Sequence, residues 1–229
     1  MKQRAVFIDR DGTLVHPRHY PSRPGELRVY KDIGPGLREL QRLGFRLVVI
    51  TNQAGIARGY FTEEDLQCMH EFLARTLERE GVRLDAIYYC PHHVAGVIPR
   101  YAIACDCRKP QPGMLLQAAA DLKLDLQRSW FVGDILDDVE AGNRAGCRTI
   151  LVDLGTEQSP EAPIRFPDFV ARSTRHALDI IRACESPRSS AGSVTDFTYQ
   201  PATWVSNVSG HLLAKYAYHS AGASHEYAG

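Results

Sequence analysis

The sequence predicts an α/β protein with a doubly wound parallel sheet. Short apolar runs alternate along the chain with longer segments whose apolar residues recur at helical spacing. This order favours strand–helix–strand units and therefore a parallel sheet. In addition, three of the apolar runs end at acidic or hydroxyl side chains, namely Asp9, Thr51 and Asp134. Ligands bind at the carboxyl ends of strands in such sheets, so we expect these three residues to share one site.

Six apolar runs are predicted to be strands because each is short and is bounded by polar or turn-forming residues. In chain order they cover residues 6–8, 45–50, 86–89, 130–132, 148–152 and 169–170, the last as a short edge strand. Between them, helices are predicted by apolar stripes, a capping pair at Thr62 and Asp65, and glycines that end two of the helices. These helices cover residues 35–43, 62–77, 112–122, 139–145 and 175–184. Residues 15–31 are rich in Pro, Arg, His and Tyr and are predicted to be a loop that contacts substrate.

Composition limits the classes of protein to which the chain can belong. Hydrophobic residues make up 44% of the 229 residues, and Lys+Arg and Asp+Glu each number 27. Zero net charge argues against a general nucleic-acid binder. No apolar run approaches the ~20 residues that span a bilayer, and the N-terminus lacks a signal-peptide apolar segment. We therefore expect a cytoplasmic monomer with neither a nucleic-acid nor a membrane partner.

The composition changes near residue 186. Residues 1–185 are predicted to form one domain, whereas Ser, Ala, Gly, Tyr and His dominate 186–229 and no apolar period holds there. Such composition is typical of a largely disordered tail, because it offers little apolar surface to bury.

The strongest local signal is the run Val6-Phe7-Ile8-Asp9-Arg10-Asp11-Gly12-Thr13. It places two carboxylates two residues apart at the end of a buried strand, with a glycine that permits a sharp turn. Carboxylates so close repel unless a proton or a cation lies between them. Mg²⁺, which prefers carboxylate and phosphate oxygens, satisfies this requirement. One carboxylate could then attack an electrophile while the other transfers protons.

A second cluster of reactive side chains brackets a short loop, 90–107. It reads Cys90-Pro91-His92 at one end and Cys105-Asp106-Cys107 at the other. Three thiols and one imidazole at this spacing suit a closed tetrahedral zinc site, which is structural rather than catalytic. His93 is an alternative to His92 as the nitrogen ligand.

Asp-x-Asp-Gly-Thr after an apolar strand resembles the first motif of the haloacid dehalogenase (HAD) superfamily of phosphatases. The resemblance implies that Asp9 is the nucleophile and Asp11 the proton donor and acceptor. It also implies that Thr51 binds the phosphoryl group and that Lys109 stabilises its charge. Magnesium would then be held by Asp9, Asp11 through its backbone carbonyl, and Asp134, with Asp138 orienting the site.

Residues 9–13, 51–59, 90–93 and 105–110 resemble, within that superfamily, the heptose-bisphosphate phosphatases. No segment of the chain is long enough for a large cap domain. The resemblance implies removal of the C7 phosphate from a phosphorylated sugar in ADP- or GDP-heptose and lipopolysaccharide core synthesis. It assigns substrate contacts to Arg10, Pro17, Arg18, His19, Tyr20, Asn52, Gln53, Ala54 and Arg108. Ile135 departs from the pattern, since that position is often a substrate-contacting Lys.

Two alternatives remain open at this point. The first is a histidinol-phosphate phosphatase or another small sugar-phosphate phosphatase. Histidinol-phosphate phosphatases have a similar zinc loop, although residues 53–59 fit the heptose group better. A phosphoacceptor signalling module also combines acids, Thr and Lys on a parallel sheet. It would need neither the second acid of the first motif nor a zinc loop, so the sequence disfavours it.

Overall fold

The computed structural model describes residues 2–186, and its centre is a six-stranded sheet. All six predicted strands are present, and every pairing between neighbours is parallel. The sheet order is β3-β2-β1-β4-β5-β6, formed by β1 (Arg4–Ile8), β2 (Phe45–Asn52), β3 (Ala86–Cys90), β4 (Trp130–Gly133), β5 (Arg148–Val152) and β6 (Phe169–Ala171). The first strand therefore lies in the middle, between β2 and β4.

Five helices cover the two faces of the sheet, which confirms the doubly wound α/β class. They are α1 (Gly34–Arg42), α2 (Glu63–Arg79), α3 (Gly113–Asp121), α4 (Leu136–Ala145) and α5 (Thr174–Glu185). The buried stripes of α1, α2 and α5 join one apolar core, and α3 and α4 contribute to a second core on the opposite face. Strands buried on both faces explain why the strand sequences are continuously apolar rather than alternating.

Local sequence signals account for the helix ends. Thr62 and Asp65 form the predicted reciprocal cap of α2: each side chain accepts a hydrogen bond from the backbone N–H of the other residue. Helix α4 ends at Gly146, whose φ of 84° is left-handed and suits glycine. Helix α4 begins at Leu136, three residues before the predicted start. Its first turn carries Asp137 and Asp138, which hid the helical pattern.

Two loops rise from the carboxyl edge of the sheet. The 15–31 segment is irregular, apart from isolated bridges of Val15 with Asp11 and with Val29 and a short helical turn, Pro24–Glu26. The 90–107 loop contains one short helical turn, Pro99–Tyr101. Within residues 2–186, no insertion between the strands and helices is large enough to be a separate cap domain.

The predicted tail lies outside the described residues. Among the helices of the described range, none combines the length and the apolar character needed to cross a bilayer.

Candidate active site

The first motif turns sharply at the carboxyl end of the central strand. Asp9 directly follows β1, Thr51 lies near the end of β2, and Asp134 directly follows β4. Because β2 and β4 flank β1, these three side chains meet at one edge of the sheet, as predicted. Gly12 has a φ of 90°, and a Cβ at this position would collide with the carboxylate of Asp134. The turn therefore needs glycine for its backbone conformation and for space.

Lys109 occupies the centre of this group. Its Nζ lies 2.5 Å from Asp9 Oδ1 and 2.5 Å from Asp138 Oδ1, and it donates to the carbonyl of Ile50 at 3.1 Å. Asn52 holds the Lys109 backbone: its Nδ2 donates to the Lys109 carbonyl at 3.2 Å, and its Oδ1 accepts from the Lys109 N–H at 3.1 Å. One buried cation is thus fixed between two buried carboxylates.

The carboxylates around Lys109 favour a further cation. Burial raises the pKa of Asp9 to about 7, and the negative charges of Asp138 and Asp11 add to this effect while Lys109 opposes it. Burial, followed by the charges of Asp9 and Asp138, raises the pKa of Asp134 to about 8. Carboxylate oxygens of Asp9, Asp134 and Asp138 all lie within 4.8 Å of one another. This oxygen-donor set fits Mg²⁺, whose charge would lower both pKa values.

The two oxygens of Asp11 have different surroundings. Oδ2 accepts from Arg10 Nη2 at 2.8 Å, Arg10 Nε at 3.0 Å and Gln53 Nε2 at 2.9 Å. Oδ1 is buried and has no hydrogen-bond partner within the described structure. Three donors thus fix the carboxyl group through Oδ2 and leave Oδ1 available for a further hydrogen bond.

Arg10 also contacts His70 of α2. Arg10 Nη1 is 3.5 Å from His70 Nε2, and since arginine only donates, Nε2 is the accepting nitrogen. Burial, and then the positive charge of Arg10, lower the pKa of His70 to about 3. His70 is therefore a neutral acceptor at ordinary pH.

Three of the residues expected to contact substrate form hydrogen bonds within the site. Arg10 is fully buried, and its guanidinium is taken up by Asp11, Gln53 and His70. Gln53 is 4% exposed, and its amide donates to Asp11 and Thr51 and accepts from Arg10. Asn52 uses both ends of its amide on Lys109. These side chains are engaged with Asp11, Thr51, His70 and Lys109, and their contacts with substrate stay predictions.

The other expected contacts are arranged differently. Pro17 and Arg18 border an open cavity of about 470 Å³ on the 15–31 segment, where Arg18 lies 3.6 Å from Glu26. His19 meets the Tyr20 ring edge-on at 4.5 Å, and the Tyr20 ring packs 4.7 Å from that of Tyr60. Of the remaining two, Ala54 is buried, and Arg108 is half-buried and donates to the His92 carbonyl at 3.3 Å.

The 90–107 loop gathers its predicted ligands into one cluster. The Sγ atom of Cys107 is 3.2 Å from those of Cys90 and Cys105, which are 3.5 Å apart, and 3.4 Å from Nδ1 of His92. Sulfurs bound to a tetrahedral zinc at about 2.3 Å would be roughly 3.8 Å apart, so the cluster is somewhat tighter than a zinc site and compatible with one. The alternative ligand His93 lies outside the cluster, with its ring nitrogens near Arg58 and the Ala95 N–H.

Proton sharing among the thiols agrees with a thiolate site. The hydrogen bond with Cys90, aided by Cys105 and His92, lowers the pKa of Cys107 to about 5 despite its burial. The same contact, together with burial, raises the pKa of Cys90. A zinc ion would replace the shared protons, because thiolate is the form that binds metal.

The sequence did not predict the residues that pack between the carboxylate group around Lys109 and the cysteine cluster. Glu63 of α2 accepts from the hydroxyl of Tyr89 at 2.7 Å and from that of Tyr101. The Tyr101 ring lies 6.1 Å from that of His92, and the Tyr89 ring lies 5.8 Å from that of His70. His70 follows Met69 on the buried side of α2. A polar side chain at such a position was the one feature of the sequence that could have indicated these contacts.

Comparisons with known proteins agree with this site. The HAD-hydrolase-like family profile matches residues 106–177. A protein from Escherichia coli (strain K12) named D-glycero-beta-D-manno-heptose-1,7-bisphosphate 7-phosphatase is 40% identical over 184 residues, 80% of this chain and 96% of its own. A Haemophilus ducreyi protein of the same name is 45% identical over 157 residues, 68% of this chain and 86% of its own.

One solved structure adds a bound state. The D,D-heptose 1,7-bisphosphate phosphatase from B. bronchiseptica, complexed with magnesium and phosphate, superposes with a TM-score of 0.67 at 28% identity. The match covers 79% of this chain and 98% of that one.

Proposed function

The chain belongs to the D-glycero-beta-D-manno-heptose-1,7-bisphosphate 7-phosphatase family, and on that premise we propose that it removes the C7 phosphate of this sugar bisphosphate. The reaction would proceed through an aspartyl-phosphate and serve synthesis of nucleotide-activated heptose for lipopolysaccharide cores. The observation that carries the proposal is the position of Asp9, which is buried at the end of the central strand with Lys109 Nζ 2.5 Å from its Oδ1.

In the first half-reaction, a carboxylate oxygen of Asp9 attacks phosphorus and the bond from phosphorus to the C7 oxygen breaks. Lys109 stays beside the attacking group and offsets the charge of the phosphoryl oxygens. Thr51 Oγ1 accepts from Gln53 Nε2 at 2.8 Å, so its own hydrogen is available to a phosphoryl oxygen.

The leaving sugar oxygen must receive a proton, and Asp11 is the group that supplies it. Because Oδ2 is held by Arg10 and Gln53, we assign the proton to Oδ1. In the second half-reaction, Asp11 accepts a proton from the water that attacks the aspartyl-phosphate. The products are inorganic phosphate and the regenerated carboxylate of Asp9.

Asp9, Asp134 and the backbone carbonyl of Asp11 would hold Mg²⁺, which when bound neutralises phosphoryl charge. Asp138 would stay in its contact with Lys109 and keep that cation directed at Asp9. Cys90, His92, Cys105 and Cys107 would hold a structural zinc. Because Arg108 and Lys109 follow Cys107 directly in the chain, zinc would fix where both cations lie.

Phosphate release from purified protein tests the proposal. We expect D-glycero-beta-D-manno-heptose 1,7-bisphosphate to be hydrolysed at C7 with a kcat/KM at least about tenfold above that for histidinol phosphate. Product analysis by ³¹P NMR identifies which phosphate is lost. Preference for histidinol phosphate, or loss of the C1 phosphate, would reject the proposed substrate while leaving the phosphatase chemistry in place.

A further inference from the structure

Arg10 is a fully buried cation whose guanidinium is shared among three acceptors. Nε and Nη2 lie 3.0 and 2.8 Å from Oδ2 of Asp11, and Nη2 also donates to Oε1 of Gln53 at 2.9 Å. The remaining nitrogen, Nη1, lies 3.5 Å from Nε2 of His70, its one acceptor among residues 2–186. His70 therefore completes the set of contacts that hold the guanidinium in place.

The ring of His70 is itself held in one orientation. It is 5% exposed on the buried side of α2, and it meets the ring of Tyr89, 5.8 Å away, edge-on. The hydroxyl of Tyr89 donates to Glu63 at 2.7 Å, which fixes that ring in turn. Because the low pKa of His70 keeps the ring neutral, Nδ1 carries the hydrogen and Nε2 offers its lone pair to Arg10.

Neutral acceptors for Arg10 matter because the charge on Asp11 changes during the proposed reaction. Asp11 gives a proton to the leaving oxygen and takes one back from the attacking water. While it carries that proton, its hydrogen bonds from Arg10 are weaker, because bonds to an ionised acceptor are about twice as strong as those to a neutral one. His70 Nε2 and Gln53 Oε1 stay neutral throughout, so they hold Arg10 in the same place in both states.

We propose that His70 is a positioning residue for the general acid: through Arg10 it holds the carboxyl group of Asp11 with Oδ1 presented to the leaving oxygen. The inference rests on the proposed function and deepens it. Without an acceptor at residue 70, Nη1 would be a buried donor with no partner, and the guanidinium would shift to find one. Asp11 would move with it, because two of the three donors to Oδ2 belong to Arg10. A general acid must lie within hydrogen-bond reach of the oxygen that it protonates, so this movement would slow proton transfer.

The experiment measures release of the leaving group in a single turnover from two aryl phosphates of nearly the same shape. p-Nitrophenyl phosphate has a leaving group that needs no proton, whereas phenyl phosphate releases a more basic oxygen that does. His70→Leu removes the acceptor and should slow release from phenyl phosphate by roughly tenfold, part of the typical contribution of a general acid. Release from p-nitrophenyl phosphate should slow by less than about threefold. His70→Gln keeps an acceptor for Arg10 and should restore release from phenyl phosphate to within about threefold of wild type.

Met69→Ala is the matched control, because Met69 is the neighbouring residue of α2 and is also buried. This change loosens the packing of the same helix without removing an acceptor from Arg10, so the ratio of the two release rates should stay that of wild type. Urea unfolding shows whether each variant is folded. If His70→Leu does not fold, His70→Asn takes its place, since its shorter side chain remains polar but ends short of Arg10.

Equal losses for the two aryl phosphates, no loss, or a His70→Gln variant as slow as His70→Leu would overturn the positioning role. Heptose 1,7-bisphosphate is assayed with the same proteins. If wild type hydrolyses it while the variants keep the wild-type ratio for the aryl phosphates, the role of His70 fails and the proposed function stands. If wild type hydrolyses only the aryl phosphates, the proposed sugar substrate fails and their ratio still decides the role of His70. Hydrolysis of none of the three would refute both.

Discussion

The side-chain amide of Gln53 lies 2.9 Å from Oδ2 of Asp11 and ties the second strand of the sheet to the turn after the first. The same amide nitrogen is 2.8 Å from Thr51 Oγ1, so one side chain orients the proposed acid and the proposed phosphoryl-binding hydroxyl together. One side chain can therefore affect both bond cleavage and phosphoryl binding.

Replacing Gln53 with Leu should release Asp11 from its fixed orientation while Asp9 and Lys109 stay in place. General acid catalysis contributes typically 10²–10⁴-fold, so we expect turnover of a sugar phosphate to fall by roughly 10–100-fold. The pre-steady-state burst of p-nitrophenolate from p-nitrophenyl phosphate should fall far less, because that leaving group needs no proton. Equal losses for the two leaving groups would contradict a role in acid positioning.

Asp9→Asn should abolish turnover and leave no phosphorylated protein, since an amide cannot act as the nucleophile. Acid-quenched protein examined by intact-mass spectrometry checks this. Asp11→Asn serves as the comparison: it should be strongly impaired yet still bind Mg²⁺, because its proposed metal contact is through the backbone carbonyl. Normal turnover by Asp9→Asn would refute the mechanism.

Cys107→Ala should reduce zinc content and weaken substrate capture while the α/β core stays folded. The proposed zinc would supply ordering free energy to the 90–107 loop, because metal binding is coupled to folding of such loops. Added Mg²⁺ should not restore activity, because the two ions prefer different ligands. Metal analysis of protein purified without chelator is the measurement, with exposed Cys68→Ala as the control. Full activity in zinc-free Cys107→Ala would count against the site.

Ile135→Lys should lower KM for a sugar bisphosphate more than for a monophosphate. Ile135 is partly buried just before α4, and its backbone N–H lies 3.3 Å from Asp138 Oδ2, next to the proposed magnesium site. An added cation there would bind the non-reacting end of the substrate, which alters KM rather than kcat. Equal changes in KM for both substrates would place residue 135 away from the second phosphate.

Stability should depend on His70 at acidic pH. Its pKa is 6.5 in the unfolded chain and about 3 in the folded protein, so below pH 6.5 the unfolded state takes up a proton that the folded state does not. The contribution of His70 to the free energy of unfolding is therefore complete above pH 6.5. It is lost as the pH falls towards 3, at up to about 1.4 kcal/mol per pH unit.

Urea unfolding between pH 7 and pH 4.5 measures this dependence. His70→Gln can still accept from Arg10 but does not titrate, so its unfolding free energy should fall with pH less steeply than that of wild type. If the unfolding free energies of the two proteins fell in parallel with pH, His70 would be taking up its proton in the folded state as it does in the unfolded chain.

The sequence predicted the strands well because each is a short apolar run bounded by polar residues, and it predicted the meeting of Asp9, Thr51 and Asp134. The sequence did not reveal that Arg10 faces inward. Its neighbours Gln53 and His70 come from other elements, and only the packing of α2 against the sheet brings them together. Helix α4 began earlier than predicted for a related reason. Of the two acidic residues in its first turn, Asp138 contacts Lys109 and Asp137 pairs with Arg165, so neither belongs to the apolar stripe.

Sheet order also has a consequence for synthesis. Strand β1 is made first but lies between β2 and β4, and its second neighbour comes from residues 130–133. A ribosome that adds about 5–20 residues per second therefore exposes one open edge of β1 for several seconds. Until β4 emerges, the nascent chain carries an apolar strand edge that can pair with other chains. Chaperone demand on this protein should accordingly be greatest before β4 has emerged from the ribosome, and the hydrolytic centre cannot exist before that point.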